Sequence, residues 1–227
     1  MDMLQLREKE IFETLKSISR FKFAVIGGYA ANVYALPRFS VDCDIVVQDS
    51  SELGKIEKDL VKIGYVKHTI GINLPYHGKF LRYEKTIEKG FRASIDILFT
   101  EIVDRQTNAA FSADWIFSNS SFKILKGKTI IEELKLRIIN LDALIAMKLI
   151  SCRSTDIRDI FMLILQAKNI KIIKKEVSER CNIDDRFMKL KTKITSHKFK
   201  DDLQGVYGYV DEKIFNKHKN AVLEMIG

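Results

Sequence analysis

The residues best suited to chemistry in this chain are two aspartates, Asp42 and Asp44, which are separated by one residue. Arg38 and Ser40 precede them at the same two-residue spacing, and the intervening positions are apolar. Because side chains alternate along a β-strand, residues 38–45 are predicted to form a strand with one polar and one apolar face. The two carboxylates then lie within roughly 6 to 7 Å of each other. A shared divalent cation would offset their repulsion.

The same alternation recurs in "FRASIDILF", where Arg92, Ser94 and Asp96 share one predicted strand face. On a neighbouring strand, Asp96 would add a third carboxylate to the first two. Three aspartates suit one or two Mg²⁺ ions better than calcium or zinc, because Mg²⁺ prefers carboxylates, phosphates and water as ligands. An Asp-x-Asp pair alone is also common on half-exposed strands, so the metal interpretation needs a second feature.

A glycine pair, Gly27 and Gly28, supplies that second feature. It follows the apolar stretch "FKFAVI" and opens a short predicted helix that Pro37 ends. Backbone amides at such a turn and the helix dipole favour a bound anion. The spacer to Asp42 leaves room for one short helix and a return into the sheet, so the glycines and the carboxylates can face one cleft.

With these motifs, the stretch "VIGGYAANVYALPRFSVDCDIVV" resembles the DNA polymerase β-like nucleotidyltransferase superfamily. It is most similar to the abortive-infection toxin-like (AbiEii-type) members, with looser agreement over 91–98 and 141–163. The resemblance implies an enzyme that moves a nucleoside monophosphate from a nucleoside triphosphate to a hydroxyl acceptor with the help of Mg²⁺. It implies that Asp42 and Asp44 bind the metal ions and that Asp96, a third metal ligand, helps to activate the attacking hydroxyl.

The resemblance also implies that Gly27 and Gly28 contact the triphosphate through their backbone amides. Many members have Ser or Thr directly after the glycine pair, whereas this chain has Tyr29. Ser40 or Arg38 could supply the missing contact. Arg38 has two interpretations, since a guanidinium suits phosphate but also pairs readily with neighbouring aspartates.

A lysine, Lys148, lies on the apolar stripe of a helix predicted over 141–152. Either its stem packs while the ammonium reaches water, or, as the resemblance implies, it binds the triphosphate. Arg153 belongs to a charged turn that also matches these relatives and is a further candidate for nucleotide binding. Asp156 and Asp159 in that turn have a simpler interpretation, because acidic residues favour a helix N-terminus.

The hydrophobic pattern predicts an α/β (α+β) protein, with an N-terminal domain over 1–139 and a helical C-terminal domain over 140–227. The resemblance implies that the first is a nucleotidyltransferase catalytic domain, built on a nucleotidyltransferase-like mixed sheet with flanking helices. Strands are predicted at 21–26, 39–48, 65–70, 79–84, 91–98 and 121–125. Helices are predicted near the N-terminus, after Gly28, and at 51–63, 141–152, 155–168, 171–180, 183–196 and 211–226.

The net charge of +8 favours a polyanionic partner such as a nucleotide or RNA, although solvated lysine-rich faces give the same charge. Three cysteines without pair spacing argue against a disulfide framework, and no apolar run is long enough for a membrane span, so a cytoplasmic protein is expected. RNA or tRNA, a protein hydroxyl and a small molecule are all candidate acceptors, and an antitoxin protein is a candidate partner. The alternative is a non-catalytic nucleotide- or RNA-binding module that retains the fold.

Overall fold

The computed structural model describes residues 2–68, 79–88 and 90–227, so the predicted strand end at 69–70 lies outside the described residues. The chain divides into two compact units. The first, here called the sheet unit, comprises Met1–Val33, Phe39–Val103 and Ala110–Ile139. The second, the helical unit, comprises Tyr34–Arg38, Asp104–Ala109 and Asn140–Gly227.

The sheet unit is built on a mixed sheet. Its strands are β1 (Ala24–Val25), β2 (Asp42–Val47), β3 (Val66–His68), β4 (Lys79–Glu88), β5 (Phe91–Phe99), β8 (Ser120–Leu125) and β9 (Leu134–Ile139). Two further strands, β6 (Glu101–Val103) and β7 (Ala110–Ser112), form a separate two-stranded sheet. Among the described residues the strand order is β3-β4-β5-β2-β1-β9-β8. Strand β2 runs parallel to β5, while β4 is antiparallel to β5 and β1 is antiparallel to β2.

Helices flank this sheet. They are α1 (Met3–Ile18), α2 (Gly27–Tyr34), α3 (Ser50–Lys62) and α4 (Ala113–Ser118). Helix α1 buries Ile11, Leu15 and Ile18, which recur at the three- and four-residue spacing of one helix face. The side chain of Asp49 caps α3 by accepting a hydrogen bond from the Ser51 amide, at 2.6 Å.

A buried carboxylate ties α1 to a distant loop. Glu8 is 2% exposed and accepts hydrogen bonds from the backbone amides of Lys128 and Thr129, at 2.6 and 2.8 Å. The hydroxyl of Thr129 donates a third, at 2.6 Å. A buried carboxylate is costly unless such donors satisfy it. Glu8 therefore fixes the 128–129 loop against the first helix.

The helical unit contains α5 (Leu141–Ser151), α6 (Ser154–Leu163), a short 3₁₀ helix (Ile164–Gln166), α7 (Ile170–Ser178), α8 (Ile183–Ile194), α9 (Phe199–Tyr207) and α10 (Glu212–Ile226). Its aromatic core centres on Phe161, whose ring lies 5.1 Å from Phe199 and 5.2 Å from Phe215. His218 stacks on the same ring, and its Nδ1 lies 2.7 Å from the carbonyl oxygen of Phe161.

The predicted fold class is confirmed: a mixed sheet with flanking helices precedes a helical C-terminal part. The elements that were not predicted include strands β6, β7 and β9 and helices α4 and α9. The strand predicted over 39–48 begins only at Asp42, and Val41 is 63% exposed instead of anchoring the apolar face. Within the described ranges, no helix is both long enough and apolar enough to cross a lipid bilayer.

Candidate functional site

The three predicted catalytic aspartates lie on adjacent parallel strands of the sheet unit. Asp44 on β2 is the direct register partner of Asp96 on β5, and Asp42 is the partner of Ser94. Cross-strand partners present their side chains on the same side of a sheet. The apolar residues between them, Cys43 and Ile95, are fully buried on the opposite side. The structure therefore brings the three carboxylates together on one face, here called the acidic face.

An arginine lies on the same face. Arg82 on β4 is the register partner of Asp96, which places Arg82, Asp96 and Asp44 in one row across three strands. Its guanidinium binds both oxygens of Asp96, with Nε–Oδ1 at 2.7 Å and Nη2–Oδ2 at 2.6 Å. The same Nη2 lies 3.5 Å from Oδ2 of Asp42. Arg82 therefore bridges two of the three aspartates.

These contacts and burial act on the pKa of Asp96 in opposite directions. Asp96 is only 3% exposed, and burial raises the pKa of its carboxyl. The hydrogen bonds and charge of Arg82 lower it, but by less, so the pKa stays above its ordinary value. A carboxylate with a raised pKa is a better proton acceptor than an exposed one. Asp96 thus has an environment suited to a general base once an oxygen is released by Arg82.

The donor set of the acidic face suits a hard cation such as Mg²⁺, since it consists of carboxylate oxygens. In this structure, however, the guanidinium of Arg82 binds Asp96 and approaches Asp42. Over residues 2–68, 79–88 and 90–227, no group of three or more His, Cys, Asp or Glu side chains is arranged to hold a metal ion. Both oxygens of Asp96 point to the guanidinium. The residues fit a divalent cation chemically, provided that the guanidinium leaves.

The glycine pair lies directly beside the acidic face. Gly27 begins α2 with φ +66°, a left-handed conformation that favours glycine. A Cβ atom at this position would lie 2.0 Å from Oδ2 of Asp44. Gly27 is therefore required for the close approach of the Asp44 carboxylate to the start of α2. Gly28, the next residue, also lies in the first turn of this helix.

Tyr29 stands where many members of the superfamily that the sequence resembles have Ser or Thr, and its side chain points away from this turn into the core. Its side chain is 1% exposed and packs edge-on against Phe12 with a ring separation of 6.2 Å. Burial raises the pKa of its hydroxyl well above the ordinary value. Tyr29 is thus a core residue of the sheet unit, which explains the choice of a large side chain after the glycines.

Two further predicted nucleotide-binding residues precede β2. Ser40 lies in the half-buried segment just before the strand begins. Arg38 was expected on the polar face of that strand, but the strand does not extend to it, and residue 38 belongs to the helical unit. Its guanidinium binds Asp159 through Nε–Oδ1 and Nη2–Oδ2, both at 2.7 Å. Of the two interpretations of Arg38, the structure shows pairing with an aspartate, although not with Asp42 or Asp44.

Lys148 meets the same aspartate inside the helical unit. It is 5% exposed, and its Nζ lies 2.7 Å from Oδ2 of Asp159 and 3.2 Å from Oδ1 of Asp156. Its ammonium is therefore buried in ion pairs and does not extend to water. The hydroxyl of Tyr207 donates a further bond to Asp159, at 3.3 Å. Arg38, Lys148, Asp156, Asp159 and Tyr207 form a buried polar cluster, here called the Asp159 cluster.

The pKa values in the Asp159 cluster follow from this arrangement. Burial alone would raise the pKa of Asp159, but Lys148 and Arg38 outweigh it and lower the pKa to about 2. Burial alone would likewise lower the pKa of Lys148, while the two aspartates raise it above its ordinary value. Each partner stabilises the charged form of the other, so Asp159, Lys148 and Arg38 are ionised near neutral pH.

Arg153, the remaining predicted nucleotide contact, caps the start of α6. Its backbone amide donates to Oδ2 of Asp156 at 3.2 Å, and its half-exposed guanidinium lies 3.3 Å from Asp104. The helix N-terminus interpretation of Asp156 therefore matches the structure. It does not extend to Asp159, which lies in the middle of α6 and binds two cations.

The sequence interpretation missed Arg82 and undervalued Asp159. For Arg82 the available signal was its place in a predicted strand, since a charged side chain next to a carboxylate-bearing strand is a candidate partner. For Asp159 the signal was Lys148 itself, because a lysine on a buried stripe needs a nearby carboxylate.

Comparisons with known proteins support the fold. No family model matches the chain, and no curated protein matches it. Among solved structures it is similar to JHP933 from Helicobacter pylori, at 17% identity and a TM-score of 0.50, with 100% of this chain and 93% of that chain covered. It is also similar to a candidate nucleotidyltransferase from H. pylori, at 15% identity and a TM-score of 0.51, with 100% and 96% covered. The chain therefore has a nucleotidyltransferase-like fold.

Proposed function

We propose that this protein is a Mg²⁺-dependent nucleotidyltransferase that moves a nucleoside monophosphate from a nucleoside triphosphate to a hydroxyl acceptor. One observation carries the proposal: Asp42, Asp44 and Asp96 share one face of adjacent strands, and the Asp44 carboxylate lies against Gly27 at the start of α2. Carboxylates beside a helix N-terminus combine a cation site with an anion site. The similarity to a candidate nucleotidyltransferase from H. pylori supports the same class of reaction.

In this proposal Asp42, Asp44 and Asp96 hold the divalent cations. When bound, the cations supply charge neutralisation on the phosphoryl oxygens and a lower pKa for the acceptor hydroxyl. The acceptor oxygen forms a bond to the α-phosphorus, the bond from that phosphorus to the bridging oxygen breaks, and pyrophosphate leaves. Asp96 receives the hydroxyl proton as a general base.

The backbone amides of Gly27 and Gly28 and the side chain of Ser40 are proposed to bind the triphosphate. Lys148, Arg38 and Arg153 are kept as candidates for the same role. In the structure the first two are held by Asp159, so either would have to exchange that carboxylate for a phosphate. A guanidinium or an ammonium can make this exchange, because both groups bind phosphate and carboxylate alike.

A transfer assay tests this function. Incubation with α-³²P-labelled nucleoside triphosphates, Mg²⁺, total RNA and a protein extract is expected to label one acceptor class. Asp44→Asn should lower the labelling rate by about 100-fold or more, since it removes a charge that acts on the transition state. Asp114→Asn is the matched control. Asp114 is an exposed carboxylate of the same unit, and it accepts a hydrogen bond from the side chain of Gln48. If Asp44→Asn labelled the acceptor as fast as the wild type does, the acidic face would be excluded as the active site.

One observation favours a second candidate, a non-catalytic nucleotide- or RNA-binding module. Arg82 already pairs with Asp96 and lies close to Asp42, and such internal pairing suits a protein that has no need of a metal. Calorimetry separates the two candidates. Nucleotide or RNA binding that is independent of Mg²⁺ and survives Asp42→Asn, Asp44→Asn and Asp96→Asn combined supports the module.

The finer assignment to the abortive-infection toxin-like enzymes, with an RNA or tRNA acceptor and an antitoxin partner, stays a prediction. A toxin of this class should arrest growth when it is expressed alone, and Asp42→Ala should relieve the arrest. Growth curves of cells that carry either version under an inducible promoter measure this difference. Equal growth with and without induction of the wild-type protein would count against a toxin.

A further inference from the structure

We propose that Arg82 is an internal counter-cation of the acidic face that competes with a divalent cation for Asp96 and Asp42. The cation then binds only when the guanidinium is released. The inference rests on the proposed function in one respect, namely that these carboxylates hold a divalent cation. It adds Arg82 to the proposed site, and it requires that the guanidinium of Arg82 be released before a cation binds.

The geometry makes the two cations mutually exclusive. The guanidinium uses both oxygens of Asp96 and approaches Asp42, so two of the three carboxylates face Arg82. A divalent ion that took an oxygen of Asp96 would lie within a few ångströms of the guanidinium. Charges of +2 and +1 that lie about 4 Å apart in a partly buried site repel each other strongly. One of the two must therefore leave.

Arg82 has room to leave. Its side chain is 30% exposed, whereas that of Asp96 is 5% exposed, so the arginine can move toward solvent and the aspartate cannot. Phe80, two residues earlier on the same strand face, lies 5.9 Å from the guanidinium and offers a cation–π contact. A released guanidinium is also suited to bidentate binding of phosphate oxygens. The metal and the triphosphate should therefore bind better together than either does alone.

Titration with Mn²⁺, followed by the electron paramagnetic resonance signal of the free ion, tests the competition. Arg82→Ala should tighten Mn²⁺ binding by about tenfold or more relative to the wild type, since a positive charge is removed from the site. Arg92→Ala is the matched control, because it removes the same charge from an exposed arginine on the same strand face that pairs with Glu84. Its effect should stay within about threefold, as solvent screens exposed charges.

A second variant covers the case in which Arg82→Ala fails to fold, which circular dichroism would reveal. Arg82→Lys keeps the charge but cannot form the two parallel hydrogen bonds. It is expected to bind Mn²⁺ more tightly than the wild type and less tightly than Arg82→Ala.

The possible outcomes separate this inference from the proposed function. If the wild type and Arg82→Ala bind Mn²⁺ equally, and Asp44→Asn abolishes binding to both, the competition is overturned while the cation site stands. Weaker binding by Arg82→Ala, or equal tightening by Arg92→Ala, also overturns it. If no variant binds Mn²⁺, both the competition and the metal dependence of the proposed function are overturned.

Discussion

Replacing Asp159 by asparagine is expected to lower the free energy of unfolding by about 3 to 5 kcal/mol. Asp159 is 1% exposed and is the carboxylate shared by Arg38 and Lys148. The amide of asparagine keeps the shape of the side chain but not its charge. Two cations would then remain buried without the anion that offsets their desolvation. Urea denaturation followed by circular dichroism measures the loss.

The matched control is Asp202→Asn in the same unit. Asp202 also forms an ion pair, with Lys193 at 2.6 Å, but both side chains are much more exposed than those of the Asp159 cluster. Solvent screens such pairs, so this variant should change stability far less. If the two substitutions lowered the free energy of unfolding equally, burial would not explain how much the Asp159 cluster contributes to stability.

The same cluster predicts how stability depends on pH. The folded-state pKa of Asp159 is about 2, below its ordinary value of 3.8, so its stabilising contribution is complete above the ordinary value. The contribution is lost as the pH falls through the folded-state pKa. The difference in unfolding free energy between wild type and Asp159→Asn should therefore shrink between about pH 4 and pH 2. Denaturation curves at several pH values measure it, and a constant difference would contradict the assignment.

Gly27→Ala is expected to lower the rate of nucleotidyl transfer, because it displaces a carboxylate of the acidic face. The new Cβ would lie 2.0 Å from Oδ2 of Asp44, closer than the 3.0 Å below which something must shift. The carboxylate would have to move by about 1 Å or more, and a displacement of that size in a catalytic group can cost about 100-fold in rate. Alanine in a left-handed conformation adds about 1 to 2 kcal/mol of strain. Nucleotidyl transfer and urea denaturation measure the two effects separately.

Gly54→Ala is the control for this substitution. Gly54 lies within α3, has no positive φ, and a Cβ there would meet nothing within 4 Å. Alanine in a helix interior is favoured over glycine by roughly 0.5 to 1 kcal/mol, so this variant should be more stable than the wild type. If Gly27→Ala behaved like Gly54→Ala, the contact between Gly27 and Asp44 would not constrain the site.

The acidic face could be predicted because the pattern that defines it lies within a few consecutive residues of each strand. Alternation around Asp42, Asp44 and Asp96 fixes which side of each strand carries the charge, and only the pairing of the two strands had to be assumed. The bridge by Arg82 could not be predicted in the same way. It depends on the register between β4 and β5, which the 79–84 pattern does not specify.

Arg38 and Lys148 show a different limit of sequence reasoning. Phosphate binding was one of two interpretations for each, and both are paired with Asp159, which follows Arg38 by 121 residues. Helical spacing identified Lys148 as anomalous but could not name its partner, since Asp156 and Asp159 lie on the next helix. Strand β9 was missed although Leu134, Leu136 and Ile138 alternate with charged residues.

The link between Glu8 and the 128–129 loop has a consequence for the order in which the protein folds. The amides that satisfy this carboxylate lie 120 and 121 residues further along the chain. On the ribosome, α1 therefore emerges long before its partners are synthesised, and contacts of such wide sequence separation form slowly. The first helix should consequently remain open to chaperones and proteases until residues 128 and 129 have been translated.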